Sequence, residues 1–88
     1  MLYTISRADY DSNQLQAIIS QFTENDAIVL WQDGVLQAVK NPQFFANCAN
    51  VFVLETDLQA RGLTTSLPVI SFAALVEISE HFYPQIAL

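Results

Sequence analysis

Residues 27–39 read AIVLWQDGVLQAV, a continuous apolar run that the dipeptide Asp33-Gly34 separates from a second apolar segment. An apolar run without alternating polar residues is typical of a strand buried on both faces of a parallel sheet. Val35, Ala38 and Val39 have the spacing of one helix face, so the stretch fits a strand followed by a helix. Asp-Gly between two apolar runs is also a strong signal for a two-residue hairpin. These residues alone leave both alternatives open.

Further strands are predicted on either side of this stretch, at Leu2–Ser6, Val51–Glu55 and Leu67–Phe72. Pro68 is compatible with the start of the last strand, because a missing N–H is tolerated there. Helical patterns separate the strands, and this alternation implies parallel pairing through right-handed crossovers. The sequence therefore predicts a single α/β domain spanning residues 1–88. Its expected fold is flavodoxin-like, with an open, mainly parallel sheet of about four strands covered on both faces.

Asp11 marks the clearest helix start. Its carboxylate can accept the backbone N–H of Gln14 while the Gln14 side chain reaches back, and Tyr10 can pack on Leu15. A short helix is expected at Asp57–Arg61, where Gly62 supplies the left-handed stop. The final helix is expected to end before Pro84. Its apolar face comprises Phe72, Leu75, Val76 and Ser79.

The chain has 88 residues, of which 52 % are hydrophobic and only 14 % are charged. Ordinary globular domains contain about 45–50 % apolar and about 25 % charged residues. A domain this small leaves much of its surface exposed, so the shortage of charges implies that another chain covers some apolar surface. We therefore expect a subunit of an obligate oligomer.

Nine acidic residues oppose three separated cations, Arg7, Lys40 and Arg61. A phosphate backbone repels such a protein unless a basic patch overrides the net charge, so direct nucleic-acid binding is not expected. Apolar runs of about five residues are far shorter than the roughly 20 that span a bilayer, and the N-terminus lacks a signal-peptide pattern. We expect a cytoplasmic protein that does not enter a membrane.

Cys48 is the only cysteine, which excludes an internal disulfide and a multi-cysteine zinc site and fits a reducing compartment. Because only a thiolate carries sulfane sulfur, Cys48 is the candidate for a persulfide. It precedes the third strand, however, at the amino edge of the sheet, whereas open α/β sheets form their sites at the carboxyl edge. No Lys, Arg or His lies near it in sequence. A structural role is favoured over a catalytic one.

Asp9, Asp33 and Asp57 each follow a predicted strand and could meet at the carboxyl edge as metal ligands or as an acid/base set. Roles in turns and helix caps are preferred, because aspartate accepts backbone N–H bonds there. His81 fits a cap or surface position near the end of the last helix rather than a metal site. With only two glycines the chain has no phosphate loop or dinucleotide fingerprint, so no cofactor is expected.

Several residues are candidates for a surface between subunits. Aromatic residues are enriched in interface cores, although Trp31 is assigned to the core in preference to an interface. Asp57 and Arg61 form either a docking surface or a self-capped turn with charges four residues apart, and the turn is favoured. The C-terminal tail is assigned to an interface in preference to disorder. The complete set of candidates is Trp31, Asp33, Asp57, Arg61, Tyr83, Ile86 and Leu88.

Three segments together resemble the TusB-like, DsrH-type members of the DsrE/DsrF/DsrH family. They are LYTI at residues 2–5, LWQDGV at residues 30–35 with Ala38, and LETDLQARGL at residues 54–63. The resemblance runs along nearly the whole chain, and the order and distance of the segments make it specific. It favours the strand followed by a helix at Asp33-Gly34. Some DsrH-type relatives carry a cysteine in the first helix, whereas Leu15–Gln21 contains none and Cys48 does not match that position.

The resemblance implies a flavodoxin-like subunit that assembles with TusC-like and TusD-like sisters into a dimer of heterotrimers. The active cysteine would belong to the TusD-like sister. Sulfur would arrive from a TusA-like carrier and leave through a TusE-like carrier, toward 2-thiolation of the wobble uridine of tRNA. The expected function is thus a non-catalytic structural subunit. The alternatives are a DsrH-type subunit in sulfur oxidation, a small sulfurtransferase that uses Cys48, and a signalling receiver that uses Asp57.

Overall fold

The apolar run at residues 27–30 becomes the central strand of a five-stranded sheet in the computed structural model, which describes all 88 residues. The strands are β1 (Leu2–Ile5), β2 (Ala27–Leu30), β3 (Val51–Leu54), β4 (Val69–Ile70) and β5 (Gln85–Ala87). The helices are α1 (Ser12–Ile19), α2 (Val35–Lys40), α3 (Glu55–Ala60) and α4 (Phe72–His81). Two 3-10 turns, Gln32–Gly34 and Pro42–Phe45, flank α2. The sheet order is β4-β3-β2-β1-β5 and every pairing is parallel, which confirms the predicted α/β class.

The direction in which strands are added decides where the helices lie. β1 to β4 follow one another across the sheet, so right-handed crossovers place α1, α2 and α3 on the same face. β5 returns to the far edge beside β1, and a right-handed crossover in that direction must run over the opposite face. α4 is the helix of that crossover. One face of the sheet is therefore covered by three helices and the other by α4.

The core is divided accordingly. The face under α1, α2 and α3 has a cluster of 11 buried residues, which includes Ile28, Leu30 and Val53. The face under α4 has a cluster of only three buried residues, Leu2, Ala27 and Val29. β2 contributes to both clusters and is buried along its whole length, as its continuous apolar sequence predicts.

Asp33-Gly34 forms a 3-10 turn that leads into α2, so the hairpin alternative is wrong and the strand followed by a helix is confirmed. The requirement for glycine at this point is steric. A Cβ on Gly34 would collide with the carbonyl group of Ile5, the last residue of β1. The φ of Gly34 is −61°, an ordinary helical value, so close approach and not backbone freedom excludes a side chain.

Gly62 ends α3 for a different reason, its left-handed backbone with φ of +63°. The N–H of Leu63 donates to the carbonyl of Leu58 at 3.1 Å, and the N–H of Gly62 donates to the carbonyl of Gln59 at 3.0 Å. This pair of bonds is the Schellman motif, in which the residue after the glycine packs back on the last helical turn. Leu63 does so, because it packs against the same core cluster as Leu58. The predicted helix stop is confirmed.

The C-terminal residues form β5, a fifth strand that the sequence did not predict. Besides the pairing of β5 with β1, the N–H of Leu2 donates to the carbonyl of Pro84 at 3.1 Å. At the other end, the N–H of Leu88 donates to the carbonyl of Thr4 at 2.9 Å. A strand of three residues is too short for its periodicity to identify it in the sequence.

The element boundaries depend on local caps. Asp11 caps α1 by accepting the N–H groups of Asn13 at 2.9 Å and Gln14 at 3.0 Å, but the Gln14 side chain makes no return bond. β4 is shorter than predicted because Ser71 already caps α4, its hydroxyl accepting the N–H of Ala74 at 3.2 Å. α3 begins at Glu55, two residues before the predicted start. No helix has the length and apolar character needed to cross a membrane.

We predict that alanine at the two glycines destabilises the fold unequally. Gly62→Ala adds a Cβ with nothing within 4 Å, so it introduces only the left-handed strain of about 1–2 kcal/mol. Gly34→Ala forces α2 away from β1 and should lower the free energy of unfolding by about 3 kcal/mol or more. Urea unfolding monitored by circular dichroism measures both values. Equal losses would contradict the distinction between strain and collision.

Candidate functional site

The carboxyl edge of the sheet is organised around an unusual residue at the end of β2. Gln32 is the one residue other than glycine with positive φ, +52°. Its backbone N–H donates to Oδ2 of Asp57 at 2.7 Å, so the carboxylate of α3 stabilises the turn that follows β2. Asp57 thus follows β3 in the chain, but its side chain bonds to the turn that follows the neighbouring strand β2.

Arg61 completes this arrangement. Its Nε and Nη2 donate to Oδ1 of Asp33 at 3.2 and 2.8 Å, and its Nη1 donates to the carbonyl oxygen of Asp57 at 3.0 Å. Its Nη1 lies 3.9 Å from Oδ1 of Asp57. The four residues Gln32, Asp33, Asp57 and Arg61 are called the edge lock below. The sequence suggested that Arg61 bonds within its own turn, to Asp57. In the structure Arg61 also donates two bonds to Asp33, which lies in the connection between β2 and α2.

The edge lock accounts for two of the three aspartates that the sequence placed at this edge. Arg61 connects Asp33 with Asp57. The carboxylate of Asp33 accepts from the guanidinium of Arg61, and the carboxylate of Asp57 accepts the backbone N–H of Gln32. Asp9 is exposed in the loop after β1 and takes no part in the lock. No group of three His, Cys, Asp or Glu side chains is arranged to hold a metal ion. The geometry of Asp33 and Asp57 is that of turn and cap residues.

We predict that Asp57→Ala lowers the free energy of unfolding by about 1 kcal/mol or more, because it leaves the N–H of Gln32 without its charged acceptor. Asp33→Ala should cost less, since Asp33 is 64 % exposed and water screens its ion pair. A double-mutant cycle of Asp33→Ala with Arg61→Ala should give a coupling of about 0.2–1 kcal/mol. Urea unfolding of the wild type, the three single variants and the double variant gives these values. No coupling would show that the contact contributes nothing in solution.

Cys48 lies at the amino edge of the sheet, three residues before β3, as predicted. It is half-buried beside an open groove of about 420 Å³, which lies between α1 and the 3-10 turn Pro42–Phe45. The lining of the groove contains no Lys, Arg or His and comprises Gln16, Ile19, Ser20, Phe22, Gln43, Phe44, Asn47 and Cys48. Burial raises the pKa of the Cys48 thiol above its ordinary value, because a thiolate there loses hydration.

A smaller cavity of about 70 Å³ adjoins Cys48, and its only charged lining residues are Glu24 and Asp26. The N–H of Thr23 donates to Oδ2 of Asp26 at 3.1 Å. This bond, together with the ammonium group of Met1, lowers the pKa of Asp26. The charged side chains that line this cavity are thus carboxylates, and the one cation beside them, the ammonium group of Met1, is bonded to Asp26 and to the carbonyl of Asn25. A thiolate at Cys48 would gain little from such a setting.

We predict that Cys48 reacts slowly with iodoacetamide at neutral pH. Alkylation needs the thiolate, so a raised pKa leaves less reactive sulfur than in an exposed cysteine. The rate should increase with pH throughout the range in which the protein stays folded, and it should match that of a short peptide around Cys48 only after unfolding in urea. Rapid labelling that levels off below pH 7 would contradict this prediction.

Trp31 lies half-buried at the end of β2, on the face covered by α4. Its indole Nε1 is fully buried and has no hydrogen-bond partner. Beside it an apolar cavity of about 200 Å³ opens between α4 and the sheet, lined by Leu2, Thr4, Val29, Trp31, Phe72, Leu75, Val76, Ser79 and Gln85. Trp31 therefore packs against the smaller core cluster and at the same time borders an opening at the surface.

The C-terminal candidates differ in exposure. Tyr83 is 73 % exposed, whereas Ile86 and Leu88 are half-buried within or just after β5. The hydroxyl of Tyr10 donates to the carbonyl oxygen of Leu88 at 2.8 Å, which fixes the end of the chain to the loop after β1. His81 is exposed in the last turn of α4.

Sequence reasoning missed the exposed side of α4. Phe72 is 60 % exposed and Val76 is 47 % exposed, although both were assigned to the face that packs on the sheet. Leu75 of the predicted face does pack on the sheet, and it is joined there by Ile78, which the prediction left out. The signal was present, because apolar residues at 72, 75, 76 and 78 are too many for a single stripe on a ten-residue helix.

These features define a small flavodoxin-like α/β domain with an unactivated cysteine and an incompletely covered sheet face. A family model described as DsrH like protein matches residues 7–85. An uncharacterized protein of Haemophilus influenzae is 47 % identical over an alignment of 95 residues, which covers 100 % of both chains. Protein TusB of Yersinia pestis and protein TusB of Yersinia pseudotuberculosis are each 36 % identical, with 99 % of both chains covered.

The chain belongs to the DsrH-like family, as a TusB-type member. Among solved structures, the solution NMR structure of protein Tm0979 from Thermotoga maritima has the same fold, with a TM-score of 0.69. It covers 91 % of this chain and 92 % of its own, at 24 % sequence identity. The family resemblance predicted from the sequence is thus confirmed.

Proposed function

We propose that the chain is a non-catalytic structural subunit of a TusBCD-type sulfur-relay complex. The observation that carries this proposal is the full-length similarity to protein TusB from two Yersinia species, together with the DsrH-like family match. The complex would pass persulfide sulfur toward 2-thiolation of the wobble uridine of tRNA. It would act in the cytoplasm, where thiols stay reduced.

The environment of Cys48 supports a non-catalytic role. A persulfide carrier attacks or accepts sulfur as a thiolate, which requires a lowered thiol pKa and access to a partner cysteine. Cys48 has the opposite properties, since burial raises its pKa and no cation lines its groove. The family resemblance implies that the active cysteine belongs to a TusD-like sister and that a TusC-like sister completes the heterotrimer. TusA-like and TusE-like carriers would deliver and remove the sulfur.

The surface of the chain supports the subunit role. With 14 % charged residues and exposed Phe72, Val76 and Tyr83, the isolated domain presents more apolar surface than a monomer of this size needs. Tyr83, Ile86, Leu88 and the edge lock are retained as interface candidates.

We predict that Cys48→Ser leaves 2-thiouridine in tRNA unchanged in cells whose own copy of the gene has been deleted. The matched control is the serine variant of the active cysteine in the TusD-like sister, which should abolish the modification. Mass spectrometry of nucleosides from digested tRNA measures both. Loss of 2-thiouridine in Cys48→Ser, with the complex still assembled, would show that Cys48 carries sulfur.

The assembly is tested by native mass spectrometry of the chain co-expressed with its two sisters. The proposal expects two copies of each chain in one particle. If the chain stays outside every complex, or if its deletion leaves 2-thiouridine unchanged, the proposed function is wrong.

A further inference from the structure

α4 leaves one layer of the fold incomplete. It covers its face of the sheet alone, and none of its ten residues is buried. Phe72 and Val76, one helical turn apart, are 60 % and 47 % exposed. With the neighbouring Trp31, which lines the same cavity, they form a continuous apolar surface that is called the α4 face below.

The α4 face is indented. The cavity of about 200 Å³ between α4 and the sheet has Phe72, Val76 and Trp31 at its walls and Leu2 and Val29 among its deeper lining. A cavity of this size accommodates one or two side chains from another protein. Apolar residues that surround such a socket are typical of the centre of an interface, where anchor side chains insert.

The charged side chains that α4 carries are acidic, apart from His81 at the helix end. Glu77 and Glu80 are exposed, and Glu80 follows Val76 by one helical turn. The cations of the chain have other positions. Arg7 stacks over the Tyr10 ring, Lys40 ends α2 on the opposite layer, Arg61 is held in the edge lock, and the ammonium group of Met1 is paired with Asp26. The part of the rim that α4 contributes is therefore acidic.

This charge pattern indicates which kind of protein binds the α4 face. A second copy of the chain packed on the α4 face in a two-fold contact would bring one acidic rim close to the other, and like charges across an interface are unfavourable. A partner with Lys or Arg around an apolar centre would pair with them. We propose that the α4 face binds a sister subunit whose contacting surface is apolar at its centre and cationic at its rim. This inference rests on the proposed function and identifies the surface through which the chain would perform it.

The chain offers a matched pair of variants for the test. Val76 and Val39 are both exposed helical valines, at 47 % and 41 %, but Val39 lies on α2 on the opposite layer. Val76→Ser should weaken the complex with the two sister chains by about tenfold or more, the effect of losing a central interface contact. Val39→Ser should stay within about twofold of the wild type. Mass photometry of the diluted complexes measures the affinities, and equal urea midpoints of the two variants establish that both are folded.

A second pair tests the charge of the rim. Glu77→Lys with Glu80→Lys reverses the rim, whereas Asp9→Lys with Glu24→Lys changes the net charge equally at exposed positions off the α4 face. The rim pair should lower the association rate by about tenfold at low salt, and added salt should reduce the difference. The control pair should associate at nearly the wild-type rate. Stopped-flow or surface plasmon resonance measurements give these rates.

The outcomes separate the two proposals. Assembly of the wild-type chain with normal assembly of Val76→Ser, or equal weakening by both valine variants, would overturn the α4 face and leave the subunit function in place. A dimer of the isolated chain that Val76→Ser dissociates would show that a second copy is the occupant, which also overturns this inference. Failure of the wild-type chain to assemble would overturn both proposals.

Discussion

The right-handedness of parallel crossovers is the constraint on which this structure depends. β1 to β4 extend the sheet in one direction and place three short helices on one face, whereas the return to β5 requires the other face. A chain of 88 residues has only α4 left for that face. The division of the core into a cluster of 11 residues and a cluster of three follows from this topology. So does the exposed apolar surface on which our interaction proposal is based.

The edge lock joins two segments of the chain that are far apart in sequence. Gln32 and Asp33 belong to the turn after β2, and Asp57 and Arg61 belong to α3, yet their bonds of 2.7 and 2.8 Å join the two connections. In these bonds Asp57 accepts a backbone N–H and Asp33 accepts the guanidinium of Arg61.

The setting of Cys48 and the α4 face are independent observations, and both support the proposed role as a structural subunit. The cysteine lies at the amino edge with a raised pKa and with carboxylates as the charged side chains of its cavity, a setting that disfavours the thiolate. The apolar surface of α4 is a feature through which another chain can be held. A TusB-type subunit that orients a cysteine-bearing sister would need the second property and not the first.

The sequence by itself determined the α/β class, three of the strand-helix units and the helix stop at Gly62, because apolar periodicity and turn chemistry are local properties. It also identified the family from the segments around Asp33-Gly34 and Asp57–Arg61. Only the tertiary structure decided the fifth strand, since three residues at 85–87 become a strand by pairing with β1 and not by their own pattern. Likewise, the partner of Arg61 and the exposure of Phe72 and Val76 depend on which elements meet in space. That arrangement follows from the hand of the crossovers and the order of the sheet, which no local stretch of residues encodes.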